Sequence, residues 1–144
     1  MQTALILAAL LVVSGCGFGE TRLDGPTPLG GTWAVVAAPG IEIIDGAEAP
    51  RVQFTVGARL QGETGCTDFS APVRVTGNQL EIGPLELAEP QQPCSLRRTA
   101  IQAAFLGALH QVTSFSGGRP GERLTFNGAG GEIVLVSPES LPDP

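Results

Sequence analysis

Lysine and tyrosine are absent from this 144-residue chain, and histidine, tryptophan and methionine occur once each. All eight basic residues are arginine, against fourteen aspartates and glutamates, for a formal net charge of -6. Nucleic-acid binding rests on clustered cations that neutralise phosphates, and here the only basic neighbours are Arg97 and Arg98. No nucleic-acid partner is expected, and no electrostatic docking on anionic lipid. With His110 as the sole histidine, a zinc site is short of ligands, so neither a metal nor a cofactor is expected. A long apolar run is missing too. The longest, residues 4–13, is about half of the ~20 residues that a helix needs to cross a bilayer.

That short run has another use. It matches the apolar core of a secretory signal and is followed by small residues. Val13-Ser14-Gly15-Cys16 resembles the lipobox of bacterial lipoproteins at each position. The resemblance implies cleavage before Cys16, with residues 1–15 as signal peptide and lipid of the palmitate type on the Cys16 thiol. Met1-Gln2-Thr3 carries no Lys or Arg, so the usual positive charge rests on the amino terminus or on an upstream start. Firm anchoring takes two lipid signals, which a triacylated cysteine meets. Gly17, rather than Asp, follows the cysteine. Similarity to sorted lipoproteins then implies the outer membrane, facing the periplasm, in a cell with two membranes.

Three cysteines are odd for an exported protein until Cys16 is assigned to lipid. Cys66 and Cys94 remain, and in an oxidising compartment a disulfide is the default expectation. Closing that loop is worth roughly 3–4 kcal/mol on the chain-entropy model. Free structural thiols, a metal site and a reactive thiol are the alternatives. A nucleophilic cysteine needs a base and an orienting group. The candidates for such work are Cys66, Glu63, Asp68 and His110. His110 reads more simply as an exposed helix-end residue, and Asp68 as a turn residue bonded to local backbone.

Twenty glycines and twelve prolines punctuate the chain and favour strands and turns over long helices. Residues 16–28 lack an apolar period and read as a flexible tether. Residues 29–36 and 41–44 read as strands, and 45–50 as a polar loop. Val52, Phe54 and Val56 alternate along the next strand. Val73 and Val75, then Gly77-Asn78, then Leu80 and Ile82 spell a two-residue hairpin. Residues 85–87 add an extended piece. After Cys94, Ser95 is a helix N-cap, although Arg97 and Arg98 oppose the helix dipole. Ile101, Ala104, Phe105, Ala108, Leu109 and Val112 form a helical stripe over about 96–110. Residues 113–116 form a strand, and 123–126 with 132–136 form a hairpin around the glycine-rich 127–131. Residues 139–144 form a tail, and no sequence repeat is present.

The expected fold is α+β. A strongly curved antiparallel, partly barrel-like sheet of about eight short strands carries one amphipathic helix packed on one of its faces. The expected core is Trp33, Phe54, Val75, Ile82, Phe105, Leu109, Phe126 and Leu135.

Taken in order, several of these pieces resemble the META domain, also called the HslJ-like family. They are Leu29-Gly30-Gly31-Thr32-Trp33, Val52-Gln53-Phe54, Gly65-Cys66 with Phe69, and residues 77–85. Cys94, Ala104-Phe105-Leu106-Gly107-Ala108-Leu109 and Leu124-Thr125-Phe126 complete the set. The resemblance spans the domain expected over 29–138. Thr67 stands where the family usually has Asn, and residues 89–93 depart from its approach to the second cysteine.

The resemblance implies a curved, partly barrel-like sheet with one helix, a cell-envelope location and links to stress response or secretion. It implies no reaction. The expected function is a non-enzymatic, monomeric envelope lipoprotein, anchored to the membrane through Cys16, that binds an envelope protein or small ligand or supports envelope stability. A small apolar-ligand carrier, a peptidase-inhibitor or chaperone-like partner using loop 127–131, and a thiol or acid–base hydrolase are the alternatives.

Overall fold

The computed structural model describes residues 29–55, 57–90, 93–119 and 121–141. Cys16, the signal segment, the tether, Val56 and the tail end 142–144 lie outside the described residues.

Among the described residues there are ten strands and one helix. The strands are β1 (Gly31–Ala38), β2 (Ile41–Glu42), β3 (Arg51–Thr55), β4 (Arg59–Glu63), β5 (Asp68–Thr76), β6 (Gln79–Ile82) and β7 (Glu86–Leu87). Helix α1 (Leu96–Leu109) follows, then β8 (Val112–Gly117), β9 (Leu124–Gly128) and β10 (Ile133–Val136). All pairings are antiparallel, and they run β1-β3-β4-β5-β6-β8-β9-β10. β10 then pairs back to β1 through Ala34↔Val136, Val35↔Leu135 and Ala37↔Val134, so eight strands close a ring. β2 extends from β1, and β7 from β5. A sheet without open long edges offers little to edge-to-edge aggregation.

Local chemistry explains several elements. The β5–β6 hairpin pairs Thr76↔Gln79 and Val75↔Leu80 around Gly77-Asn78. Gly77 has φ 60°, which suits glycine at the first central position of a two-residue turn. The loop 45–50 holds a 3-10 turn, Gly46–Glu48, capped by the Asp45 carboxylate accepting from the Ala47 amide at 2.9 Å. Ser95 caps α1 by accepting from the Arg98 amide at 3.2 Å, as its residue type favours.

The helix differs from expectation in two respects. It covers the end of a closed barrel rather than a sheet face. The antiparallel registers bring the β4–β5 turn, the β9–β10 turn, the β2–β3 connection and the start of β8 to one end. α1 crosses that end, touching the β2–β3 connection through Arg97 and the β4–β5 turn through Gln102. Ile101, Phe105, Ala108 and Leu109 are its buried residues. Val112, expected on this stripe, instead begins β8, because the helix stops at the His110 C-cap.

The interior is filled. Trp33, Phe105, Leu109, Phe126 and Leu135 are buried as expected, together with Leu29, Leu60, Phe69, Leu80, Leu124 and Ile133. Phe69 and Phe105 meet edge to face at 5.7 Å, joining barrel wall to helix. Phe54 and Phe126 do the same across the barrel at 6.2 Å, a favoured aromatic geometry. Phe54, Val75 and Ile82 are only partly buried and pack on the margin of this cluster. Each lies on a strand near the end opposite the helix or beside the thin β6–β8 seam, which has a single paired position, Gln79↔Ser114.

Two glycines make opposite predictions. A Cβ on Gly62 would lie 2.0 Å from the Arg51 carbonyl oxygen, whereas one on Gly107 meets nothing within 4 Å. Gly62→Ala is expected to cost at least about 2 kcal/mol, and Gly107→Ala, in an exposed helix interior, to add about 0.5–1 kcal/mol. Phe105→Ala is expected to cost about 3–5 kcal/mol. Urea melts of the three variants against the parent chain check all three values.

Candidate functional site

Among the described residues, the groups named from sequence gather on one side of the helix-covered end, except His110. The β4–β5 turn consists of Thr64, Gly65, Cys66 and Thr67. Gly65 takes φ 92°, and the Thr64 amide donates to the Thr67 carbonyl at 2.9 Å. The Thr64 hydroxyl oxygen accepts from the amides of Cys66 at 3.2 Å and Thr67 at 3.1 Å. Its own proton goes to Oε1 of Gln102 on α1. Thr64 has no exposed surface and is the buried polar residue of the described chain. Its donors and acceptors are met, as burial of a hydroxyl requires.

Cys66 is bonded to Cys94, with Cα atoms 5.5 Å apart and a sequence separation of 28. Cys94 directly precedes the Ser95 cap, so the bond ties the start of α1 to the turn. Thr67 donates its hydroxyl proton to the carbonyl of Ala88. The Ala88 amide donates to the Asp68 carbonyl at 2.9 Å. Thr67 thus pins the end of β7 against the start of β5.

Arg97 and Arg98 sit in the helix turn where the dipole disfavours cations. Both reach away from it. Arg97 Nε donates to the Glu48 carboxylate at 3.0 Å, and a terminal nitrogen donates to the Glu42 carbonyl at 3.1 Å. Arg98 donates to the Ala47 carbonyl at 3.5 Å. Together they clip the β2–β3 connection to the helix. Such a partly exposed ion pair is worth little by itself, so its effect is mainly positional.

Glu63 and Asp68 are directly paired across β4 and β5 and are both exposed. With Glu89, Arg98 and the two half-cystines they line a depression of about 560 Å³. A second depression of about 630 Å³ lies on the outer wall and shares Glu63, Asp68 and Ala88 with the first. It is crossed by the cross-strand row Thr32, Gln53, Gln61, Ser70 and Glu86. Leu87, half-exposed at 53%, lines it as well.

His110 is the exception. It caps the far end of the 14-residue helix, roughly 20 Å from Ser95 at 1.5 Å per residue. It is exposed, and its amide donates to the Leu106 carbonyl at 3.1 Å. Among the described residues, no group of three or more His, Cys, Asp and Glu is placed to hold a metal ion. The loop 127–131 packs against the helix end, where a Cβ on Gly130 would stand 3.3 Å from Ala108 Cα. Thr64 and Gln102 had no distinguishing signal in the sequence, since what selects them is a contact between positions 38 residues apart.

These features define a small closed barrel whose end is covered by a disulfide-tied helix, with its open depressions on the outside. The chain matches the META domain over residues 27–140 and belongs to that family. A solution structure of a protein from Burkholderia xenovorans shares the fold, with a TM-score of 0.55 at 17% identity. That match covers 76% of this chain and 86% of the other. No curated protein matches the chain.

Thr64→Val keeps the shape and removes the hydroxyl. It leaves two turn amides and Gln102 without their partner and is expected to cost about 2–3 kcal/mol. Gln102→Leu in the same background should then cost much less than in the parent. A double-mutant cycle in urea measures both.

Proposed function

We propose that this META domain protein is a non-enzymatic, lipid-anchored cell-envelope protein that acts by surface contact with an envelope partner or in envelope stability. The observation that carries this reading is the Cys66–Cys94 bond. Disulfides persist outside the reducing cytosol, which agrees with the export and lipidation signal ending at Cys16. With Cys16 on lipid, every cysteine has a partner.

Two further features support contact over catalysis or carriage. Nucleophile and base are not assembled, because Cys66 is bonded and His110 lies at the other end of α1. Side chains fill the barrel, so a ligand is better accommodated on the outer wall, where the 630 Å³ depression lies. In a cell with two membranes, Gly17 favours the outer one.

The test is metabolic labelling with an alkyne fatty acid in a bacterial host. The parent chain is expected to incorporate label and to pellet with membranes. Cys16→Ala should lose the label and keep its uncleaved leader. An unlabelled parent chain of processed length would overturn the lipid anchor.

A further inference from the structure

The Cys66–Cys94 bond lies in the wall of the 560 Å³ depression, and both half-cystines are partly exposed. The packing of α1 has its own supports. Ile101, Phe105 and Leu109 are fully buried further along the helix. The Thr64–Gln102 hydrogen bond and the Arg97–Glu48 ion pair hold its first half. A bond that solvent can reach, and whose opening leaves these contacts in place, is accessible to exchange. The rim of the depression carries Glu63, Asp68 and Glu89 against one guanidinium, that of Arg98.

We propose that Cys66–Cys94 is a thiol–disulfide exchange site whose acidic rim selects neutral or cationic dithiols over anionic thiols. The incoming thiolate attacks Cys66 Sγ. The Sγ–Sγ bond breaks, and Cys94 leaves as thiolate. Its place just before the Ser95 cap makes it the better leaving group, because the helix N-terminus favours negative charge. The second thiolate of the reagent then attacks the mixed disulfide and releases Cys66. The dithiol leaves as a disulfide, two electrons pass to the protein, and the two protons lost by the reagent end on Cys66 and Cys94. Reduction frees Pro93 and Cys94 from the turn while the barrel stays folded.

The test uses the full chain carrying Cys16→Ala, so that two cysteines remain. Reduction rates are measured at low salt with an excess of cysteamine, 2-mercaptoethanol or mercaptoacetate, each rate corrected for thiolate fraction and intrinsic nucleophilicity. A second molecule of these monothiols attacks the mixed disulfide in place of a dithiol's second thiolate. Cysteamine is expected to react about tenfold faster than mercaptoacetate, with 2-mercaptoethanol between them. The ratio should shrink toward one in high salt and in Glu63→Gln/Glu89→Gln. Trp33 fluorescence, a core reporter, should stay native throughout. Equal corrected rates, a reversed order, or reduction only together with loss of the native fluorescence would overturn the proposal. The salt dependence of the parent chain decides the matter even where the double variant does not fold.

Discussion

The antiparallel pairing of β1 with β10 is the contact on which the rest of this structure depends. It joins the first and last long strands of the domain and turns a curved sheet into a ring. β1 also pairs with β3 and β2, so one strand carries three neighbours. A register irregularity between Val35 and Ala37 lets it serve both sides, which is what a bulge does in a sharply curved sheet. Closure defines an interior, and the interior defines what the helix must do. A ring this small is filled by side chains, and its ends must be covered. α1 supplies the cover at one end by inserting Ile101, Phe105 and Leu109.

Polar contacts decide where that helix sits. Burial alone is non-directional. The Thr64–Gln102 bond, the arginine contacts with the β2–β3 connection and the disulfide all engage the first half of α1 or the residue just before its cap. The far end is fixed by close approach, with Gly130 beneath Ala108. The chemistry-bearing residues therefore gather at one end for structural reasons. Cys66, Thr67 and Asp68 surround the fastening of the helix, and His110 is kept away from them by the helix's own length.

Much of this was legible in the sequence, for reasons that can be named. The Gly77-Asn78 hairpin, the Ser95 cap and the helix over 96–109 depend on neighbours within a few residues. Local propensity and spacing report such features directly. The cysteine pairing was expected from the cysteine count together with the export-like segment before Cys16. What stayed hidden depends on distant partners. Ring closure needs strands about a hundred positions apart in the chain, so alternation gave a curved sheet but not its closed edge. Val112 fits the helical stripe by spacing, yet it is taken by β8 because the ladder with Gly128 begins there. Thr67 and Gln102 look like ordinary polar residues until the fold sets Ala88 and Thr64 beside them.

The most direct measurement of barrel closure is native-state amide exchange by NMR on the chain with Cys16 replaced by alanine. If β1 and β10 are joined, the ladder amides of Ala34, Val134 and Val136 open only with global unfolding, as do those at the centre of β4 and β5. If those amides instead exchange orders of magnitude faster, as at frayed sheet edges, the ring is open and β1 and β10 are not joined.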